Sequence, residues 1–109
     1  MKIISGYKNG RLTLRLIGEL DHHSARNTMD EISGLIDRFL PRDLVLELSG
    51  LSFMDSSGIA IILRVYKRMR ELHGRAWVEN PPPQPQRVID SSGIDRLIRI
   101  STTVREGKA

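Results

Sequence analysis

Apolar positions along this chain change their spacing from stretch to stretch, and each spacing predicts an element. Arg11-Leu-Thr-Leu-Arg-Leu-Ile17 alternates, so a strand sets Leu12, Leu14 and Leu16 on one face and Arg11, Thr13 and Arg15 toward water. Lys2 to Lys8 predicts the strand before it, and Asn9-Gly10 supplies the positive φ angles of a two-residue hairpin turn. Gly18 to Ser24 reads as a loop. Beyond it Ala25, Met29, Ile32, Leu35, Ile36 and Phe39 recur at three and four, the stripe of a helix that Pro41 ends. Leu44 to Leu48 is almost continuously apolar, as in a strand covered by helices. From about Ser57 to His73 a second helix carries Ile59, Ile61, Ile62, Leu63, Val65, Tyr66, Met69 and Leu72 on a wide core arc. Arg64, Lys67, Arg68 and Glu71 gather opposite, a solvated face or a docking edge for an acidic partner, and Gly74 reads as the helix stop. Arg75 to Glu79 is a short strand with Trp77 in the core. The prolines of 81–85 suit a first helical turn, which continues through Gln86 to Asp90. Leu97 to Ile100 is a last strand, and residues 102–109 form a polar tail.

Length and composition narrow the class. With 109 residues, 39% hydrophobic and 28% charged, the chain reads as one globular α/β domain spanning residues 1–109. There is no cysteine, which excludes disulfides, thiol catalysis and cysteine-ligated metals. Neither a signal peptide nor a membrane-length apolar run is visible, so the expected location is the cytoplasm, with no membrane partner. The net charge is +4, yet seventeen basic residues are interleaved with thirteen acids and aromatics reach only 5%. That pattern predicts a diffuse positive surface that speeds association with an acidic partner, and no nucleic acid.

Candidate chemistry concentrates in Leu51-Ser-Phe-Met-Asp-Ser-Ser-Gly-Ile59, where an apolar strand gives way to a helix. Asp55, Ser56, Ser57 and Gly58 suit a sharp turn and a cap. The first N–H groups of a helix lack partners and carry partial positive charge, so a phosphate added to a hydroxyl there meets donors. Ser57 is accordingly the candidate phosphate acceptor. Asp21 reads as an N-cap of the first helix. His22 and His23 are adjacent and fit no zinc spacing, so they read as surface or packing residues. Asp90 to Ile94 repeats the letters of Asp55 to Ile59, but it trails a helix, where a phosphate is disfavoured; Gly93 reads as a stop and the serines face carbonyls. Phosphate-cradling glycine motifs are absent, and Ser57 lacks the G-x-S-x-G elbow of a hydrolase. The chain reads as a substrate of an enzyme rather than an enzyme, with no cofactor or metal of its own.

Ser52-Phe-Met-Asp55-Ser-Ser57-Gly-Ile59 resembles the signature of the STAS domain in bacterial anti-sigma factor antagonists, the sporulation anti-anti-sigma subgroup in particular. Gly18-Glu-Leu-Asp21-His-His23 is similar to a second family motif, and Tyr66, Lys67 and Ser92-Gly-Ile94 fit in order, so the resemblance runs from about Lys2 to Thr102. It implies a STAS-type mixed β-sheet with an N-terminal hairpin and helices packed on the sheet. It also implies that the unphosphorylated chain binds an anti-sigma factor with serine kinase activity and so frees a sigma factor. Phosphorylation of Ser57 would end that binding, in a site surrounded by Asp21, His22, Asp55, Ser56, Gly58 and Ile59. The kinase would supply ATP and magnesium, a phosphoserine phosphatase would reverse the reaction, and the free chain would be a monomer. The alternative the resemblance leaves open is a STAS scaffold or ligand-sensing module that keeps Ser57 only as part of a capped turn.

Overall fold

In the computed structural model, which describes residues 1–103, the hairpin comes first. β1 (Lys2–Lys8) and β2 (Arg11–Leu20) pair antiparallel, and the turn residues Asn9 and Gly10 sit at φ 53° and 82°. There follow α1 (Ala25–Phe39), β3 (Asp43–Met54), α2 (Ser56–Glu71), β4 (Arg75–Glu79), α3 (Pro83–Ser92), a 3-10 turn at Ile94–Arg96, and β5 (Ile100–Ser101). The strands lie in the order β1-β2-β3-β4-β5, and every pair after the hairpin is parallel. The expected mixed sheet is therefore present, and it carries one core. Leu12, Leu14 and Leu16 of β2, Leu44, Leu46 and Leu48 of β3 and Val78 of β4 meet Ile32 and Ile36 of α1, Ile62 and Val65 of α2 and Ile89 of α3. The part of the polar tail over 104–109 lies outside the described residues.

Several boundaries differ from the sequence expectation, each for a physical reason. β2 runs on to Leu20 and β3 to Met54, because their pairing continues through two register shifts. Inward residues of β3 go Leu44, Leu46, Leu48, then Leu51 and Met54, so the spacing widens from two to three wherever β3 holds an extra residue. Gly50 sits at the first shift, where a Cβ would stand 2.8 Å from Ile17 Cγ1 and 3.0 Å from the Leu16 carbonyl. At the other end of the chain the last strand is shorter than expected: Leu97 is exposed and only Ile100 and Ser101 pair. His73, at φ 59°, takes the left-handed position expected of Gly74; Gly74 is needed instead for close packing on the Arg42 carbonyl, 2.6 Å from where its Cβ would lie.

Trp77 is buried, but on the far face of the sheet rather than in the helix-covered core. The Arg11 and Arg99 guanidinium carbons lie 4.9 and 4.6 Å from its ring centroid, and its indole N–H donates to Glu79 at 2.8 Å. Beside it Asp43, with none of its surface exposed, accepts from Arg75 Nε and Arg42 Nη2, each at 3.2 Å, and lies 3.6 Å from Arg11 Nη2. Burial pushes the Asp43 carboxyl up, but hydrogen bonds and charge from Arg42 and Arg75 outweigh it and hold the group below the usual carboxylate range. By register this face gathers Lys2, Lys8, Arg11, Arg15, Arg42, Arg75 and Arg99 against Glu19, Asp43, Glu47 and Glu79. Seven cations against four carboxylates leave most of the chain's net charge of +4 on this face, so the positive surface is concentrated rather than diffuse.

Candidate functional site

Parallel pairing of β2 and β3 sets Leu20 beside Met54, so the chain leaves two neighbouring strand ends at Asp21 and Asp55. The Asp55 N–H donates to the Leu20 carbonyl at 3.2 Å and ties the two exits together. Asp55 is extended (φ −112°, ψ −167°) and caps α2: its Oδ1 accepts the Ser57 N–H at 2.8 Å, and its carbonyl accepts the Gly58 N–H at 2.9 Å. Ser56 and Ser57 therefore occupy the first turn of α2, one residue earlier than the expected start. Ser57 is half-buried and Ser56 exposed, and neither hydroxyl has a hydrogen bond among the described residues. Gly58 is buried because Met54 and Leu20 pack where a Cβ would stand. Ile59 is partly buried against the core, and the neighbouring Phe53 is exposed.

Asp21 performs its capping role one turn before the regular part of α1. Its Oδ1 accepts the His23 and Ser24 N–H groups at 3.0 and 3.1 Å, and its carbonyl accepts the Ala25 N–H at 2.9 Å. Ser24 Oγ accepts the Asp21 N–H in return at 3.2 Å, a reciprocal arrangement like a capping box. The Ser24 N–H, then that of His23 and the His23 charge, outweigh partial desolvation and hold the Asp21 carboxyl below the ordinary carboxylate value. His22 and His23 are exposed, with ring centroids 4.0 Å apart. The second Asp-Ser-Ser-Gly stretch has the other geometry: Ser92 Oγ donates to the Ile89 carbonyl at 2.7 Å and Gly93 ends α3 at φ 77°. The charged strip on α2, read as a solvated face or a docking edge, is partly occupied from within, since Arg68 Nη2 donates to Asp37 of α1 at 2.6 Å.

Sequence reasoning missed Gln84. Its side-chain amide pairs with the backbone of the last β3 residue, accepting the Met54 N–H at 2.8 Å and donating to the Met54 carbonyl at 2.9 Å. The amide thus stands in for a neighbouring strand where β4 and β5 do not reach, and it fixes the backbone one residue before the cap. Its position between Pro83 and Pro85 at the start of α3 was the only signal in the sequence.

The fold has counterparts. The STAS domain model matches residues 3–107. The anti-sigma F factor antagonist of Paenibacillus polymyxa is 35% identical over 100 residues, covering 92% of this chain and 86% of that one. The protein of the same description from Lysinibacillus sphaericus is 36% identical over 83 residues, 76% of this chain and 71% of its own. Among solved structures, the unphosphorylated anti-sigma factor antagonist SpoIIAA superposes with a TM-score of 0.78 at 27% identity, over 98% of this chain and 91% of that one. Its phosphorylated form from Bacillus superposes at 0.70 and 27%, over 98% and 95%. The chain belongs to the STAS domain family.

Proposed function

We propose that this chain is an anti-sigma factor antagonist switched by phosphorylation of Ser57. Unmodified, it binds an anti-sigma factor through the surface around the α2 start and so frees a sigma factor. It is a regulatory binding protein and not an enzyme, and it works in the cytoplasm. The anti-sigma factor is also the serine kinase and brings ATP and magnesium; a phosphoserine phosphatase restores the hydroxyl. The observation that carries this reading is the Ser57 hydroxyl itself, half-exposed and without a hydrogen bond among the described residues, in the first turn of a helix whose cap is already supplied by Asp55. Antagonists named for sigma F at 35% and 36% identity, and a structural neighbour solved with and without phosphate, support it. In this setting Asp21, His22, Asp55 and Ser56, with the partly buried Ile59, form the surround that the kinase grips, whereas Gly58 is buried against Met54 and Leu20 and shapes the turn without reaching the partner. Phosphate brings about −1.5 to −2 charge beside Asp21 and Asp55, enough to change what docks there.

The test is incubation with ATP, magnesium and the anti-sigma factor, followed by intact mass and fragment mapping. A gain of one phosphate at Ser57, absent in Ser57→Ala and retained in Ser56→Ala, is expected. Ser57→Ala should still bind the anti-sigma factor, and Ser57→Asp should bind it at least roughly tenfold more weakly, about 1.4 kcal/mol. Phosphate on Ser56 instead, or equal binding by the aspartate variant, contradicts the switch.

A further inference from the structure

β5 covers β4 only at Val78 and Glu79, which pair with Ile100 and Ser101. Arg75, Ala76 and Trp77 have no strand beyond them among the described residues. The Val78 N–H donates outward to the Arg99 carbonyl and the Asn80 N–H to the Ser101 carbonyl. Backbone groups alternate sides along a strand, so Ala76 turns its N–H and C=O the same way, into open space. That space is a recess of about 350 Å³ bounded by Tyr66 and Arg70 of α2, Ala76 and Trp77 of β4, and the side chains of Arg75 and Arg99. Among the described residues no carboxylate lines it. Arg70 donates to the Tyr66 hydroxyl at 2.9 Å, and neither Arg70 nor Arg99 has an ion pair among the described residues.

We propose that this free edge of β4 receives an extended acidic segment of a partner protein, added as a short strand beside Ala76. Side chains of such a segment alternate between the two faces of the sheet. Arg70 waits on the helix-covered face, and Arg75 and Arg99 on the other, so carboxylates of either parity meet a guanidinium, whose planar fork suits them. The main chain of the guest supplies the partners that an uncovered strand edge lacks. Residues 104–109 have the wrong sign for this role, with Arg105 and Lys108 against Glu106. Arg70 stands thirteen residues along α2 from Ser57, about 20 Å, so the edge is a second surface and not part of the serine site.

Trp77 is the only tryptophan and sits in the recess, so its emission reports on the site directly. The full chain is titrated with a blocked peptide of about seven residues alternating glutamate and valine, a common strand length. A saturable change in emission is expected, weaker at higher salt. It should be roughly tenfold or more weaker in an Arg70→Gln, Arg99→Gln double variant whose circular dichroism matches the parent. Arg75 is left in place because it also holds Asp43. A peptide with lysine in place of glutamate should give no response. The proposal is overturned by a flat titration into the millimolar range, by an undiminished response in the double variant, or by inorganic phosphate or ATP reproducing the effect, which would make the recess a general anion site. Ser57 phosphorylation, followed by intact mass in the same double variant, should be unchanged, so failure here is separable from failure of the serine switch.

Discussion

At Ser57 two needs of a helix start are met by different groups. The backbone N–H is taken by Asp55 Oδ1, which leaves the serine hydroxyl without a hydrogen bond among the described residues. A residue in that position can gain or lose a phosphate without the helix losing its cap. Removing the cap itself is another matter. Asp55→Ala should lower stability by about 1 kcal/mol, whereas Asp55→Asn keeps the accepting oxygen and should stay within roughly 0.5 kcal/mol of the parent. Urea midpoints decide it, and an alanine variant as stable as the parent would refute the capping role. Because the asparagine variant removes charge but not structure, its binding to the anti-sigma factor also isolates what the carboxylate charge contributes. This level of the molecule was legible in the sequence. Capping links residues two or three apart, so Asp55 to Ser57 and Asp21 to Ser24 can be read from neighbouring letters. Gln84 could not, since its partner Met54 is thirty residues away and an amide side chain has no periodicity to betray it.

At the scale of elements, the helices and the hairpin follow from their spacing, and the strand ends do not. β3 reads as finished at Leu48 because its inward residues then fall at Leu51 and Met54, a period of three that belongs to no regular strand. Only the pairing with β2 shows that the strand continues through its two register shifts. That continuation delivers Asp55 at the right height beside Asp21, and Gln84 holds it there. Gln84→Ala should therefore free both backbone groups of Met54, which is buried. The expected cost is about 1–3 kcal/mol. Faster hydrogen exchange at the Met54 and Asp55 amides should accompany it, along with weaker anti-sigma factor binding. If exchange at those amides is unaltered, Gln84 does not position the site. Gly58→Ala tests the same junction from the helix side. The new methyl would stand against Met54 and Leu20, and the crowding, about 1–3 kcal/mol, should exceed the gain in helix propensity, about 1 kcal/mol. A thermal midpoint above the parent's would show that Met54 repacks freely.

At the scale of the whole molecule, the helices cover one face of the sheet and the charge collects on the other. Composition alone could not show this, because the cations are scattered along the sequence and only the strand register brings them together. Asp43 is the anchor of that face. Its carboxylate is sealed from solvent, whereas the side chains of Arg11, Arg42 and Arg75 are 49%, 65% and 71% exposed. Their mutual repulsion is screened by water and salt, and the carboxylate takes what remains. Its folded-state pKa lies below the usual value of about 3.9. A group depressed on folding contributes stability that is fully present above its unfolded pKa and is lost as pH falls through the folded one. Asp43→Asn should thus be less stable than the parent near neutral pH, and the difference should shrink as pH drops from about 4 toward the folded value. Asp21 is depressed as well, but it is present in both proteins and cancels in the comparison. Urea midpoints of the pair, taken from about pH 7 down to about pH 3, measure the convergence. A difference that stays constant or widens on acidification would mean that the arginines are held by Trp77 and the strands rather than by the carboxylate.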